Sequence, residues 1–279
     1  MNIHLHGYGD FEEWREAARH LLRHGVKPWE VNWGGANAGL FDDMDMISAG
    51  RRDRPLLVPR AFVELAQSLV CHSDPARFDL AYRLLWRLQD EPKLLEMPTD
   101  PDMAKAHRMA KSVHRDSHKM TAFVRFKAVS SRNTRRAFVA WFEPDHFVVA
   151  RTADFFQRRF TDMDWLIATP KGASSWDGKT LRFDAAPAVK PDLDDETDDL
   201  WRTYYASIFN PARLKVKMMQ SEMPKKYWKN LPEADLIPQL IQEAEQRVRA
   251  MAEAVASEPP RLHQRLQVRA QGGRLGEIG

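Results

Sequence analysis

A single cysteine, Cys71, stands in the 279-residue chain, so neither an internal disulfide nor a zinc site built on cysteines can form. Its setting, ELAQSLVCHSD, reads as the buried end of a helix. No run of eighteen apolar residues occurs, which argues against a membrane-spanning helix. The opening MNIHLHGYGDFEEWREAARH lacks the charged and apolar regions of a secretory signal, so the expectation is a cytoplasmic protein with no membrane partner. Also missing are a P-loop, a GxGxxG fingerprint, a nucleophile elbow, an HExxH pair and paired CxxC motifs. Common cofactor chemistry is therefore unsupported, and neither a cofactor nor a metal is expected. No internal repeat is present.

Charge is plentiful and unevenly spread. The net charge is +3, yet residues 105–136 hold ten Lys or Arg against one acid, Asp116. A second excess lies in WRTYYASIFNPARLKVKMMQSEMPKKYWKN, residues 201–230, where seven cations and six aromatic rings accompany only Glu222. The preceding PDLDDETDDL is densely acidic. Segregation of this kind points to a local surface for polyanions rather than to a generally adhesive protein.

Periodicity divides the chain. Residues 1–120 read as helices: DFEEWREAARHLLRHG begins on Asp10 and ends on Gly25, while PRAFVELAQSLVCH and SDPARFDLAYRLLWRLQ form a helical hairpin. The helix over 102–120 is amphipathic in an unusual way. At about 100° per residue, Lys105, Arg108, Lys111, Arg115 and Lys119 fall within an arc of about 120°. Met103, Ala106, Met109, Ala110, Val113 and Met120 occupy the opposite side, with His107, His114 and His118 at the border. Residues 121–187 then change to strand patterning. FVRFKAV places Arg125 and Lys127 on one face, RRAFVAWFE reads as a more central strand, and FVVA as a short one. A helix TADFFQRRFTDM, a strand DWLIATP and a hairpin through SSW, DGK and TLRF follow. The fold expected is α+β, a mostly antiparallel sheet with a crossing helix, flanked by N-terminal and C-terminal helical segments. A single domain is expected over 1–256, helical again over 194–256, with 257–279 a flexible tail or linker.

Cations that displace counterions from phosphate, and flat rings on which unpaired bases stack, are what a nucleic-acid groove requires. Lys105, Arg108, Arg115 and Lys119 are the candidates for phosphate, with Arg125 and Lys127 on the strand. Tyr204, Tyr205, Arg213, Lys225 and Lys226 would line a neighbouring edge. Packing of the rings as ordinary core is the competing reading. FEPDHF sets Asp145 and His146 at the end of a strand, where a general acid or base could sit, and Asp177 of WDG is a further acid candidate. Each also has a structural reading, as a turn residue or a hydrogen-bond partner.

Taken together, HRDSHKMTAFVRF, FEPDHF, FFQRRFTDMDWLIATPKGASSWDG, LWRTYYASIFNPARL and MPKKYWKNLPEADLI closely resemble an uncharacterised bacterial family described as DNA metabolism or repair proteins. The likeness runs over about residues 8 to 252. It implies a domain commonly fused in front of an X-type uracil-DNA glycosylase or paired with a radical SAM protein, so those two and DNA are the partners it suggests. The glycosylase motifs and cluster cysteines of such a second half are not found after residue 252, and the family supplies no catalytic residues to carry over. The leading expectation is a DNA-binding accessory domain in repair. An enzyme acting on nucleic acid or a nucleotide through Asp145, His146 or Asp177, or a protein-interaction adaptor with an acidic partner, are the alternatives.

Overall fold

The structure is a computed structural model that describes residues 1–3, 5, 9–34, 58–129, 135–190, 222–240, 242 and 246. The chain divides into two compact units, Met1–Asp199 with Met223–Pro232, and Leu200–Glu222 with Glu233–Gly279. Of the second unit, the described residues 233–240 form helical turns. The acidic run, Tyr204, Tyr205, Arg213 and the expected tail lie outside the described residues.

In the first unit, helix α1 (Phe11–Arg23) starts where Asp10 accepts hydrogen bonds from the Glu12 and Glu13 amides. It ends just before Gly25, whose φ of 69° is one that other residues avoid. A short parallel pairing of β1 (Asn2–Ile3) with β2 (Asn32–Trp33), not anticipated from the sequence, closes that end of the fold. Helices α2 (Arg60–Val70) and α3 (Arg77–Arg87) form the expected hairpin, and α4 (Pro101–Phe123) follows. The Asp100 carboxylate caps α4 by accepting from the Asp102 and Met103 amides, with Pro101 in the first turn.

Helix α4 serves two hydrophobic cores. Its first half contributes Met103, Ala106 and Met109 to a cluster with Trp14, Leu21, Phe62, Leu69, Tyr82 and Leu84. Its second half contributes Val113 and Met120 to another, with Phe142, Val148, Phe156, Trp165, Ile167 and Tyr227. All six apolar residues assigned to the inner side are buried. So is Asp116, at 4% exposure, although the basic composition around it marked it only as the lone acid.

Strands β3 (Phe126–Val129), β4 (Ala137–Trp141), β5 (Asp164–Thr169), β6 (Gly172–Trp176) and β7 (Leu181–Asp184) lie side by side in that order. The α+β class and the helical segments at both ends are as expected, but the sheet is mixed rather than mostly antiparallel. Strands β4 and β5 run parallel because α5 (Val149–Arg159) connects them as a crossover. The expected strand FVVA is absent. Val148 and Val149 instead enter the core at the start of α5, where the Thr152 amide bonds the Val148 carbonyl, and the Phe147 amide is taken by the Cys71 carbonyl at 2.8 Å. Burial there outweighs the strand preference of β-branched residues. The β6–β7 hairpin forms as read, with the Asp177 carboxylate accepting from the Lys179 and Thr180 amides and Gly178 at φ 84°.

Candidate nucleic-acid interface

The outer arc of α4 carries the stripe. Arg108, Lys111 and Arg115 are exposed and form no ion pair among the described residues. The stripe's two ends are tied down: Lys105 lies 3.5 Å from the Asp74 carboxylate, and the Lys119 ammonium sits 5.8 Å over the Phe123 ring. Arg125 precedes β3 rather than standing on it. Its guanidinium donates to the Ala122 and Val124 carbonyls at 2.9 and 3.3 Å, satisfying the C-terminal end of α4. Lys127 is half-buried on β3, opposite Val139 of β4 and on the other face from Phe126, which packs on Phe160 and Phe156.

Beside the stripe, three segments distant in sequence converge. The loop 142–148 after β4 meets the corner between α2 and α3 through His146, which is 5% exposed. The Ser73 amide donates to His146 Nδ1 at 3.2 Å, and Ser73 Oγ lies 3.1 Å from the same nitrogen. A backbone N–H can only donate, so Nδ1 is the acceptor and the neutral ring carries its proton on Nε2, 2.8 Å from Ser112 Oγ on α4. His146 therefore donates to Ser112 and cannot take its proton. Next in the chain, the Asp74 amide donates to His72 Nδ1 at 3.0 Å, and the two rings lie 4.2 Å apart. Burial, followed by the neighbouring His146, pushes His72 down to about 4. Burial likewise lowers His146. Both rings are neutral fasteners at neutral pH. Among the described residues no three His, Cys, Asp or Glu side chains are gathered so as to hold a metal ion.

Asp116 anchors the same loop from below, its carboxylate accepting from the His146 amide at 2.8 Å and from the Tyr227 hydroxyl at 3.3 Å. Burial raises its pKa. Tyr227 belongs to a helical turn, Lys225–Asn230, and its ring stacks between Phe142 (5.1 Å) and Phe123 (5.5 Å). Burial pushes its phenol up to about 12. On either side of it, Lys226 pairs with Asp145, and Lys229 with Glu143 at 2.6 Å. Glu143 also accepts from Trp141 Nε1 at 3.0 Å. Burial alone would lower Lys226, but its bonds to Asp145 and Tyr227 outweigh that and raise it. Lys225 is exposed, 5.9 Å from the Trp228 ring.

Among the sequence candidates, the structure thus brings Asp145, His146 and Lys226 together next to α4. Asp177 stands apart as a turn former that also pairs with Arg182 at 2.7 Å. Residues that sequence reasoning passed over are Asp116, His72, Ser73 and Ser112. Only Asp116 left a trace: on the helical wheel it lies about 20° from Lys105, on the side towards the core.

No described helix is long and apolar enough to cross a membrane. Neither a curated protein nor a solved structure matches the chain. A family model described as a domain of unknown function (DUF4130) matches residues 75–233, a span that includes all of α4, the sheet, the loop with His146 and the turn with Tyr227. That match covers more than half of the chain, which therefore belongs to the DUF4130 family.

Proposed function

We propose that this protein is a DNA-binding accessory domain in repair, holding nucleic acid by phosphate contacts on the outer face of α4 while a separate protein performs the chemistry. The observation that carries this reading is the three exposed cations Arg108, Lys111 and Arg115, without carboxylate partners among the described residues, on one rigid helix between two cores. Fixed positive charge without internal compensation is what displaces counterions from a phosphodiester chain. The resemblance drawn from the sequence suggests a uracil-DNA glycosylase or a radical SAM protein as the catalytic partner.

The competing enzymatic reading finds less support. His146 has both ring nitrogens engaged in holding the fold together, and Asp177 is spent on a turn. Fluorescence anisotropy with labelled single- and double-stranded oligonucleotides, followed over a range of salt concentrations, tests the proposal. Affinity should fall steeply with salt, and the variant R108A/K111A/R115A should show a slope smaller by about three. Salt-insensitive binding, or a triple variant that binds like the parent, would sink it. Incubation with uracil-bearing and abasic oligonucleotides should yield complexes and no cleaved or excised product.

A further inference from the structure

A groove of about 480 Å³ opens between the loop after β4 and the Lys225–Asn230 turn, with Glu143, Asp145, Lys225, Lys226 and Lys229 in its walls. Pro144 and Pro170 complete the lining and supply no N–H, which leaves the ammonium groups as its strongest donors. The groove adjoins the end of the α4 stripe. Tyr227, between Lys226 and Lys229, bonds Asp116 of α4 and stacks on Phe123, the ring beneath Lys119.

We infer that this groove is a latent phosphate site, in which the carboxylates of Asp145 and Glu143 occupy Lys226 and Lys229 in place of the phosphates of a bound strand. The inference rests on the DNA-binding reading and extends it from the helix to a second surface. Three features support it. Both ion pairs are open to solvent, with side-chain exposures of 41% and 65% for Lys226 and Asp145, and 59% and 32% for Lys229 and Glu143. Exposed pairs hold weakly, so a polyanion that releases counterions can displace them. The exchange also requires little movement, because Asp116 grips the loop through the His146 amide and leaves the Asp145 side chain free to turn. Finally, Lys225 already stands in the groove wall with no ion pair among the described residues.

Four forms of the full chain test this: the parent, D145N/E143Q, K226A/K229A and the quadruple combination, titrated with a labelled oligonucleotide and separately with inorganic tripolyphosphate. Freed of its carboxylates, D145N/E143Q should bind the oligonucleotide more tightly, on the order of fivefold per released lysine. That gain should vanish in the quadruple variant, whose salt slope should be smaller by about two. A gain that persists without the lysines means that the carboxylates merely repel DNA, and overturns the inference, as does the absence of any gain. The tripolyphosphate titration separates the two proposals. If no form binds the oligonucleotide, the DNA reading fails, whereas tripolyphosphate binding by D145N/E143Q that is lost in the quadruple variant still establishes the groove as an anion site. Thermal melts of all four forms should coincide within a few degrees, since the pairs are exposed.

Discussion

Two groups of cations meet α4, and they are treated in opposite ways. At its N-terminal end Arg83 and Arg87 of α3 are enclosed by acids. Arg83 forks onto Asp102 at 2.9 Å through two nitrogens and reaches Asp79 at 2.6 Å. Arg87 forks onto both Asp100 and Glu91, with a further contact to Asp102 at 3.3 Å. Hydrogen bonds from these guanidinium groups hold Asp100 and Asp102 below the usual carboxylate range. The acids also lie at the positive end of the helix dipole. Along the middle of the same helix, Arg108, Lys111 and Arg115 have no such company among the described residues. A count of basic residues cannot separate the two groups. What separates them is whether each charge is already spent inside the molecule: the first group builds structure, and the second is available to a partner.

The comparison can be broken most decisively by exchanging the roles. Neutralising the stripe with R108A/K111A/R115A should weaken oligonucleotide binding on the order of 10²- to 10³-fold near 0.1 M salt. The urea midpoint should hardly change. A large loss of stability with intact binding would invert the assignment. Asp100→Ala should do the reverse, costing about 2 kcal/mol through loss of the α4 cap and of two bonds from Arg87, with DNA affinity unchanged. Urea denaturation of the two proteins side by side makes the contrast.

A third, somewhat smaller effect concerns pH. His72 and His146 both have folded-state pKa values below those of the unfolded chain, so the unfolded state binds more protons as the pH falls. The stability they lend is complete above about 6.5 and is lost as pH drops towards about 4, the folded value for His72. Asp116, whose pKa is raised, works in the opposite sense and offsets part of the loss at the acid end. After allowance for the partial exposure of His72, the expected decline is about 1 to 2 kcal/mol between pH 7 and pH 5. His72→Asn should flatten that decline in urea melts; an equally steep one would place its origin elsewhere. Smallest of all, breaking the exposed Arg60–Glu64 pair with Arg60→Ala should cost about 0.3 kcal/mol and leave binding untouched. Any measurable effect on DNA affinity would show that exposed charge anywhere on the surface suffices, and the distinction between the two groups would lose its point.

Local signals made much of this architecture legible. Asp10 and Gly25 bound α1 as read, six apolar residues of α4 face inward, and the Asp177–Gly178 turn joins two paired strands. Pairing partners were harder, because alternation reveals that a segment is a strand but not which strand lies beside it. The parallel junction of β4 and β5 was missed for that reason, and Phe147–Ala150 was misjudged because its valines answer to tertiary burial rather than to local preference. The site was the least legible part. His146 bonds Ser73 and Ser112 through its two ring nitrogens, across separations of 73 and 34 positions, and no spacing rule covers such distances. The aromatic half of the expected interface, Tyr204 and Tyr205, lies outside the described residues.

Seating α4 in two cores has a consequence for whatever it touches: the helix is braced along its length and behaves as a rigid ruler. From Arg108 to Arg115, the cations without an ion pair among the described residues, it rises about 10 Å, with charges set about 4.5 to 6 Å apart. A duplex climbs about 3.4 Å per base pair, so these three cations match a footprint of roughly three pairs. Oligonucleotides trimmed below that length should shed affinity in discrete steps, one graduation of the ruler at a time.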